Sequence, residues 1–219
     1  MLILPCGIAV IKGDTHISEW VTQEKKLTIA SKYLAQFRTF IPIGGTVVDA
    51  GAMIGDHTAT YAEWVGPTGN VYAFEPNPEA FECLEYNMRN LLQVSVHEYG
   101  LSDRIESYKL NLLTNAGASY LSNEPGTATT LTLDSLSLTS LDFLKIDIEG
   151  FETRMLQGAK ETIARFHPVM LIEVNSGALI RASSSRNELL SLIKSLGYNL
   201  TITDNTSQLT DPQYDVICE

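Results

Sequence analysis

Short apolar runs recur along the chain, each closed by a polar residue and followed by a stretch of helical period. TVVDAGA (46–52), NVYAFEP (70–76), VSVHEYGLS (94–102), FLKIDIEG (143–150) and HPVMLIEVN (167–175) read as strands, rich in β-branched and aromatic residues. Between them lie amphipathic segments. One runs from about Asp56 to Val65, and one starts after Pro78, where proline suits the first helical turn. A third carries Phe151, Met155, Ala159 and Ile163 on one face, and SRNELLSLIKSLGY closes at the C-cap residue Gly197. NLTITDN and YDVICE follow as two strands with a short connection, which predicts that they pair antiparallel. Strands alternating with helices of ten to fifteen residues predict an α/β fold: a doubly wound, mostly parallel, seven-stranded sheet with an antiparallel terminal strand.

Before this frame, CGIAVIK (6–12) predicts a short strand. Residues 22–38 predict a helix, with Leu27, Ala30, Tyr33, Leu34 and Phe37 at helical spacing until Pro42 and Gly44–Gly45 stop it. Residues 1–40 are therefore expected to form an N-terminal strand and helix extension packed on a core domain of residues 41–219. ESYKLNLL (106–113) is expected to pair antiparallel with the third strand, and TTLTLDSL (129–136) alternates like a half-buried strand.

Composition narrows the class. The 219 residues are 44% apolar and 19% charged, enough for one folded domain. A formal net charge of −11 repels phosphate backbones and anionic membrane surfaces, so neither nucleic acid nor membrane is an expected partner. Cys6, Cys83 and Cys218 show no metal or disulfide spacing and fit reduced thiols. The N-terminal stretch has no basic leader, contains Pro5 and soon meets Lys12, unlike a signal peptide. No run approaches the roughly 18 apolar residues that span a bilayer. A cytoplasmic protein is expected, and a homodimer is compatible with the sequence.

In doubly wound sheets, ligands bind beyond the carboxyl ends of the strands. The polar residues at those ends are Asp49, Glu75, Ser102 with Asp103, Asp147 with Glu149, and Glu173 with Asn175. Gly51 and Gly55 permit a tight turn and close approach of a ligand to backbone. A nicotinamide turn would read G-x-G-x-x-G and cradle a pyrophosphate. Here the spacing is D-x-G-x-x-x-G, flanked by Asp49 and Asp56. Those acids repel a pyrophosphate and attract the ammonium and sulfonium of S-adenosylmethionine. An acid at Glu75 can accept both ribose hydroxyls of an adenosine. His57 is a candidate general base, set against the alternative that it packs locally.

VVDAGAMIGDHT, VYAFEPNPEAFECL and FLKIDIEGFETRMLQGA together resemble the FkbM family of S-adenosylmethionine-dependent methyltransferases. The resemblance covers about residues 44–175 and implies a class I methyltransferase (Rossmann-like) fold, with methyl transfer to a hydroxyl of a sugar, glycan or small natural-product acceptor. It implies that Asp49, Gly51 and Gly55 form the first cofactor motif, flanked by Asp56 and His57. Glu75 would be the ribose acid with Asn77 beside it, and Ser102–Asp103 the adenine-side loop. Met53 stands where the family often has asparagine.

Asp147 is expected beside the reacting methyl or the acceptor, as a base or orienting group, with Glu149 two residues on along the same strand face and Glu173 reaching the acceptor. Glu149 could instead pair with Lys145 or cap the following helix. The three carboxylates would suit Mg²⁺ or Ca²⁺ if they converged, but no metal is assigned. N-methylation, a nicotinamide-dependent oxidoreductase and a non-catalytic cofactor-binding module are the competing readings.

Overall fold

The computed structural model describes residues 1–28, 32–203 and 213–219. Its frame is a seven-stranded sheet of β1 (Thr46–Ala50), β2 (Asn70–Phe74), β3 (Val94–His97), β4 (Phe143–Ile146), β5 (Val169–Asn175), β6 (Leu200–Ile202) and β7 (Gln213–Cys218). Their spatial order is β3-β2-β1-β4-β5-β7-β6. β7 runs antiparallel to both its neighbours, and the pairs among the first five strands are parallel. The order reverses between β1 and β4, which opens a crevice at the carboxyl ends of those strands.

Alternation along β1 shows how the sheet is buried on both faces. Val48 and Ala50 join a core with Met155, Leu156 and Ile163 from helices α4 (Glu152–Gln157) and α5 (Lys160–Phe166), and with Leu189 and Ile193 from α6 (Arg186–Ser195). Val47 faces the other way, against Tyr61, Ala62 and Val65 of α2 (Asp56–Val65). Helix α3 (Pro78–Met88) packs Leu84 and Met88 against Ala73 of β2. Its N-cap is Asn77, whose side chain accepts from the Glu79 N–H, with Pro78 in the first turn.

Several sequence expectations are corrected. The helix expected over 22–38 is broken: α1 spans Ile17–Glu24 and ends at Lys25, which adopts a left-handed φ of 55°. Lys32–Ala35 and Gln36–Phe40 form a separate short helical piece, and Ala30 lies outside the described residues. The strand expected over 94–102 leaves the main sheet after His97. Gly100–Leu101 instead joins a second sheet with 128–131, 107–111 and 120–125. Residues 107–111 therefore pair with 120–125 and 128–131, not with β3. The helix expected after Gly150 is split at Gly158, where a Cβ would meet the Ser102 carbonyl oxygen at 2.2 Å. Of the 6–12 strand, Ala9–Val10 remains, paired with Leu2–Ile3. The expected strand over 199–205 is seen as β6, and residues 204–205 lie outside the described residues.

Candidate active site

The site grows from the register of β4 beside β1, which places Lys145 opposite Asp49. Side chains so paired share one face of a sheet. Asp49 is fully buried, and its Oδ2 accepts from the Thr58 hydroxyl at 2.6 Å. Its Oδ1 has no hydrogen-bond partner, and the Lys145 ammonium stands 3.5 Å from it. The same ammonium lies 3.5 Å from Asp147 Oδ2 and donates to the Gly51 carbonyl at 2.8 Å. Burial works against the charge on Lys145, but Asp147, Asp49, Asp56 and Glu173 outweigh it and hold the ammonium above its usual range.

After β1 the chain turns at Gly51, with φ 79°, against the start of the Asp147 loop. A Cβ on Gly51 would lie 1.8 Å from the Asp147 carbonyl oxygen, so only glycine fits. Met53 also takes a positive φ, 51°, and its N–H donates to Glu75 Oε2 at 2.9 Å. Glu75 Oε1 accepts from the Asn77 N–H at 2.8 Å. Burial pushes the Glu75 carboxyl up to about 7, against these two hydrogen bonds. The acid expected to hold a ribose is thus also the brace between the loops after β1 and β2.

On the other side of the crevice, β4 ends at Ile146, and the chain reverses at Glu149–Gly150 through φ of 52° and 115°. Asp147 and Glu149 therefore do not share an extended strand. The turn nonetheless brings carboxylate oxygens of Asp147, Glu149 and Glu173 within 4.8 Å of one another. Burial and then the Asp147 carboxylate raise Glu149 to about 7, and burial with Asp147 and Glu149 raises Glu173 to about 9. Glu173 Oε1 accepts from Gln213 at 2.6 Å, while its Oε2 is buried without a partner. The spacing would admit a divalent cation, but the Lys145 ammonium beside Asp147 already supplies a counter-charge.

Neither structural alternative for Glu149 holds. Its ion partner is Arg181, at 3.5 Å, not Lys145. The backbone of the turn is held instead by Glu152, whose Oε1 accepts from Ile148 N–H and Gly150 N–H.

These walls enclose one cavity of about 300 Å³, at the lower end of the size range of small-molecule sites. Gly51, Asp56, His57, Glu75, Asp147, Glu149 and Glu173 all line it. Asp49, Gly55 and Asn77 do not; they support it from behind. A Cβ on Gly55 would run into Met88 and Leu84 of α3, and Asn77 is turned to the helix it caps. His57 has its Nε2 4.0 Å from Asp56 Oδ2 and lies edge-on to Tyr61.

The structure sets Ser102 and Asp103, expected on the adenine side, apart from the cavity lining. With β3 ending at His97, Ser102 is fully buried, and its hydroxyl donates to Asp103. Asp103 pairs with Arg104 at 2.7 Å and Arg154 at 3.6 Å. Burial would raise the Asp103 carboxyl, but the Arg104 and Ser102 hydrogen bonds prevail and hold it below its usual range. Neither residue reaches the cavity, whereas Gly100 and Leu101 line that wall.

The sequence reading missed Met53, Lys145, His16 with Ile17, and the turn from Asn115 to Ser119, all of which line the cavity. The last two groups are tied together: Asp14 accepts from the Ala116 N–H at 2.9 Å, and the Thr15 N–H donates to the Thr114 carbonyl.

The sequence profile of the methyltransferase FkbM domain matches residues 49–200, more than half of the chain. No curated protein matches the sequence. Among solved structures, a Clostridium thermocellum protein assigned as an rRNA-methylase superposes with a TM-score of 0.59 at 16% identity, over 85% of this chain and 92% of its own. An FkbM methyltransferase from Methylobacillus flagellatus KT gives 0.54 at 17% identity, over 94% of this chain and 60% of its own. Fibrillarin from Aeropyrum pernix, solved with natively bound S-adenosyl-L-methionine, gives 0.50 at 12% identity, over 81% and 67%. At these identities the structural likeness is one of fold.

Proposed function

The chain belongs to the FkbM methyltransferase family, and from that premise we propose that it moves the methyl group of S-adenosylmethionine onto a hydroxyl oxygen of a sugar, glycan or small natural-product acceptor. The observation that carries this reading is one cavity lined by acids from both halves of the sheet. Gly51, Asp56 and Glu75 lie on one side, and Asp147, Glu149 and Glu173 on the other.

The residues fit the cofactor. Glu75 uses one backbone N–H on each oxygen, which leaves lone pairs for two ribose hydroxyls. Asp49 Oδ1, buried without a hydrogen-bond partner and with only the Lys145 ammonium 3.5 Å away, keeps acceptor capacity behind the Gly51 turn, on the side where a cationic tail would lie. Carboxyl groups dominate the cavity wall, which suits a sulfonium and an ammonium and opposes a pyrophosphate. When bound, S-adenosylmethionine supplies an electrophilic methyl on a sulfonium whose charge is consumed on transfer.

The chain's own residues then have two tasks. Alignment of acceptor and methyl is the first, because little new charge has to be stabilised. Asp147, held in place by Lys145, orients the acceptor hydroxyl. The second task is the proton. As the oxygen–carbon bond forms and the sulfur keeps the electron pair of the broken bond, the hydroxyl proton passes to a carboxylate. Glu149, raised to about 7 by burial and by Asp147, is suited to accept it near neutral pH, whereas Glu173, raised further, keeps its own proton there and helps to orient the acceptor. The net charge of −11 favours a small acceptor over a polyanion.

The test is incubation with S-adenosylmethionine and a panel of hydroxyl, amine and RNA acceptors, with the product solved by NMR. A methyl group on oxygen of a small acceptor, lost in Asp147→Asn, is the expected result. A methyl on nitrogen, carbon or RNA overturns the assignment.

A further inference from the structure

Lys145 is 5% exposed, yet it lines the cavity. Among the described residues it is the one lysine or arginine that does so. Its ammonium cannot swing away. One N–H is committed to the Gly51 carbonyl at 2.8 Å, and the carboxylates of Asp49 and Asp147 flank it at 3.5 Å each. Strand register fixes the other end of the side chain beside Asp49.

A fixed cation in a cavity built for a cation calls for an explanation. Acid groups of Asp56, Glu75, Asp147, Glu149 and Glu173 share the wall with it. Left alone, such a wall would bind a sulfonium more tightly than a neutral thioether. Binding of that kind stabilises the ground state and opposes a reaction in which the charge disappears, because only interactions stronger in the transition state speed the step.

We propose that Lys145 sets how this site weighs the charged methyl donor against its neutral product, by placing a permanent positive charge where it repels the sulfonium and is relieved as the methyl leaves. This rests on the reading that the cavity holds S-adenosylmethionine. A purely structural role for Lys145 would weaken the binding of donor and product alike. The charge role moves their ratio.

The test is isothermal titration of the full chain with S-adenosylmethionine and S-adenosylhomocysteine, which needs no acceptor. In Lys145→Met the ratio of the two affinities shifts toward S-adenosylmethionine by about tenfold, the size expected for one unit charge several ångströms away at intermediate dielectric. Lys145→Arg keeps the wild-type ratio within about twofold. Asp147→Asn, which removes a neighbouring negative charge, shifts the ratio the other way. An equal loss of both affinities in Lys145→Met overturns the proposal. Should that variant not fold, Lys145→Gln, whose amide can still donate to the Gly51 carbonyl, carries the same two outcomes. If the wild-type chain binds neither compound, the functional reading fails first, and the two failures are told apart.

Discussion

Glu75 receives the Met53 N–H at 2.9 Å, so the acid at the end of β2 reaches across to hold the loop that follows β1. Its other oxygen holds the Asn77 N–H. One side chain thus joins two loops and faces the cavity they form. Glu75→Ala should lower stability by about 1–3 kcal/mol through two unmade hydrogen bonds. Glu75→Gln should weaken S-adenosylmethionine binding at least about tenfold, ~1.4 kcal/mol, by replacing an acceptor with a donor. Denaturant unfolding and titration calorimetry read the two effects separately, and unchanged affinity in Glu75→Gln would count against the ribose role.

Asp49 accepts one hydrogen bond, from the Thr58 hydroxyl at 2.6 Å, and has the Lys145 ammonium 3.5 Å from its other oxygen. Thr58→Val keeps the shape and removes that donor, leaving a fully buried carboxylate oxygen unsatisfied. The expected cost is about 1–3 kcal/mol in unfolding free energy, within the range for a buried unpaired polar group. A change below about 0.5 kcal/mol would show that Asp49 finds another partner.

Gly51→Ala should be among the most damaging single-methyl changes in the chain. The positive φ of 79° disfavours any L side chain, and the new Cβ would sit 1.8 Å from the Asp147 carbonyl oxygen. The Asp147 loop must move or the variant must not fold. A thermal midpoint near wild type with intact cofactor binding would contradict this.

Glu152 gives a pH prediction. It is 1% exposed, and burial raises its carboxyl to about 7 in the folded protein from 4.5. Between those values the folded state binds the extra proton, so this contribution to stability falls as pH rises through that window. Glu75 and Glu149 shift in the same direction. Glu152→Gln keeps an oxygen for the Ile148 and Gly150 N–H groups and removes the titration. Its thermal midpoint should fall less than that of wild type between pH 5 and pH 8, as read by differential scanning fluorimetry. Equal slopes would place the carboxyl at its ordinary value.

Much of this was legible from local pattern. β1, β2, β4 and β5 are apolar runs ending in acids, and burial on both faces makes such runs unmistakable. Their order along the chain gave the fold and the side of the sheet on which to look for the site. Contacts between distant segments were not legible. His16 and the 115–119 turn meet over the cavity through Asp14, a pairing that neither segment announces. Lys145 entered the sequence analysis only as a partner for Glu149, four residues on. The register with β1 gives it Asp49 instead. Ser102 and Asp103 lie away from the cavity because Glu98 and Tyr99 carry the chain out of β3 into a second sheet, a departure set by pairing with the distant 128–131 segment and not by the local pattern.

The most direct test of the whole account is titration calorimetry of wild type and Asp49→Ala with S-adenosylmethionine and NAD. The account expects wild type to bind S-adenosylmethionine and not NAD, and Asp49→Ala to lose that binding while still folded. Binding of NAD alone, or undiminished S-adenosylmethionine binding in the variant, would contradict it.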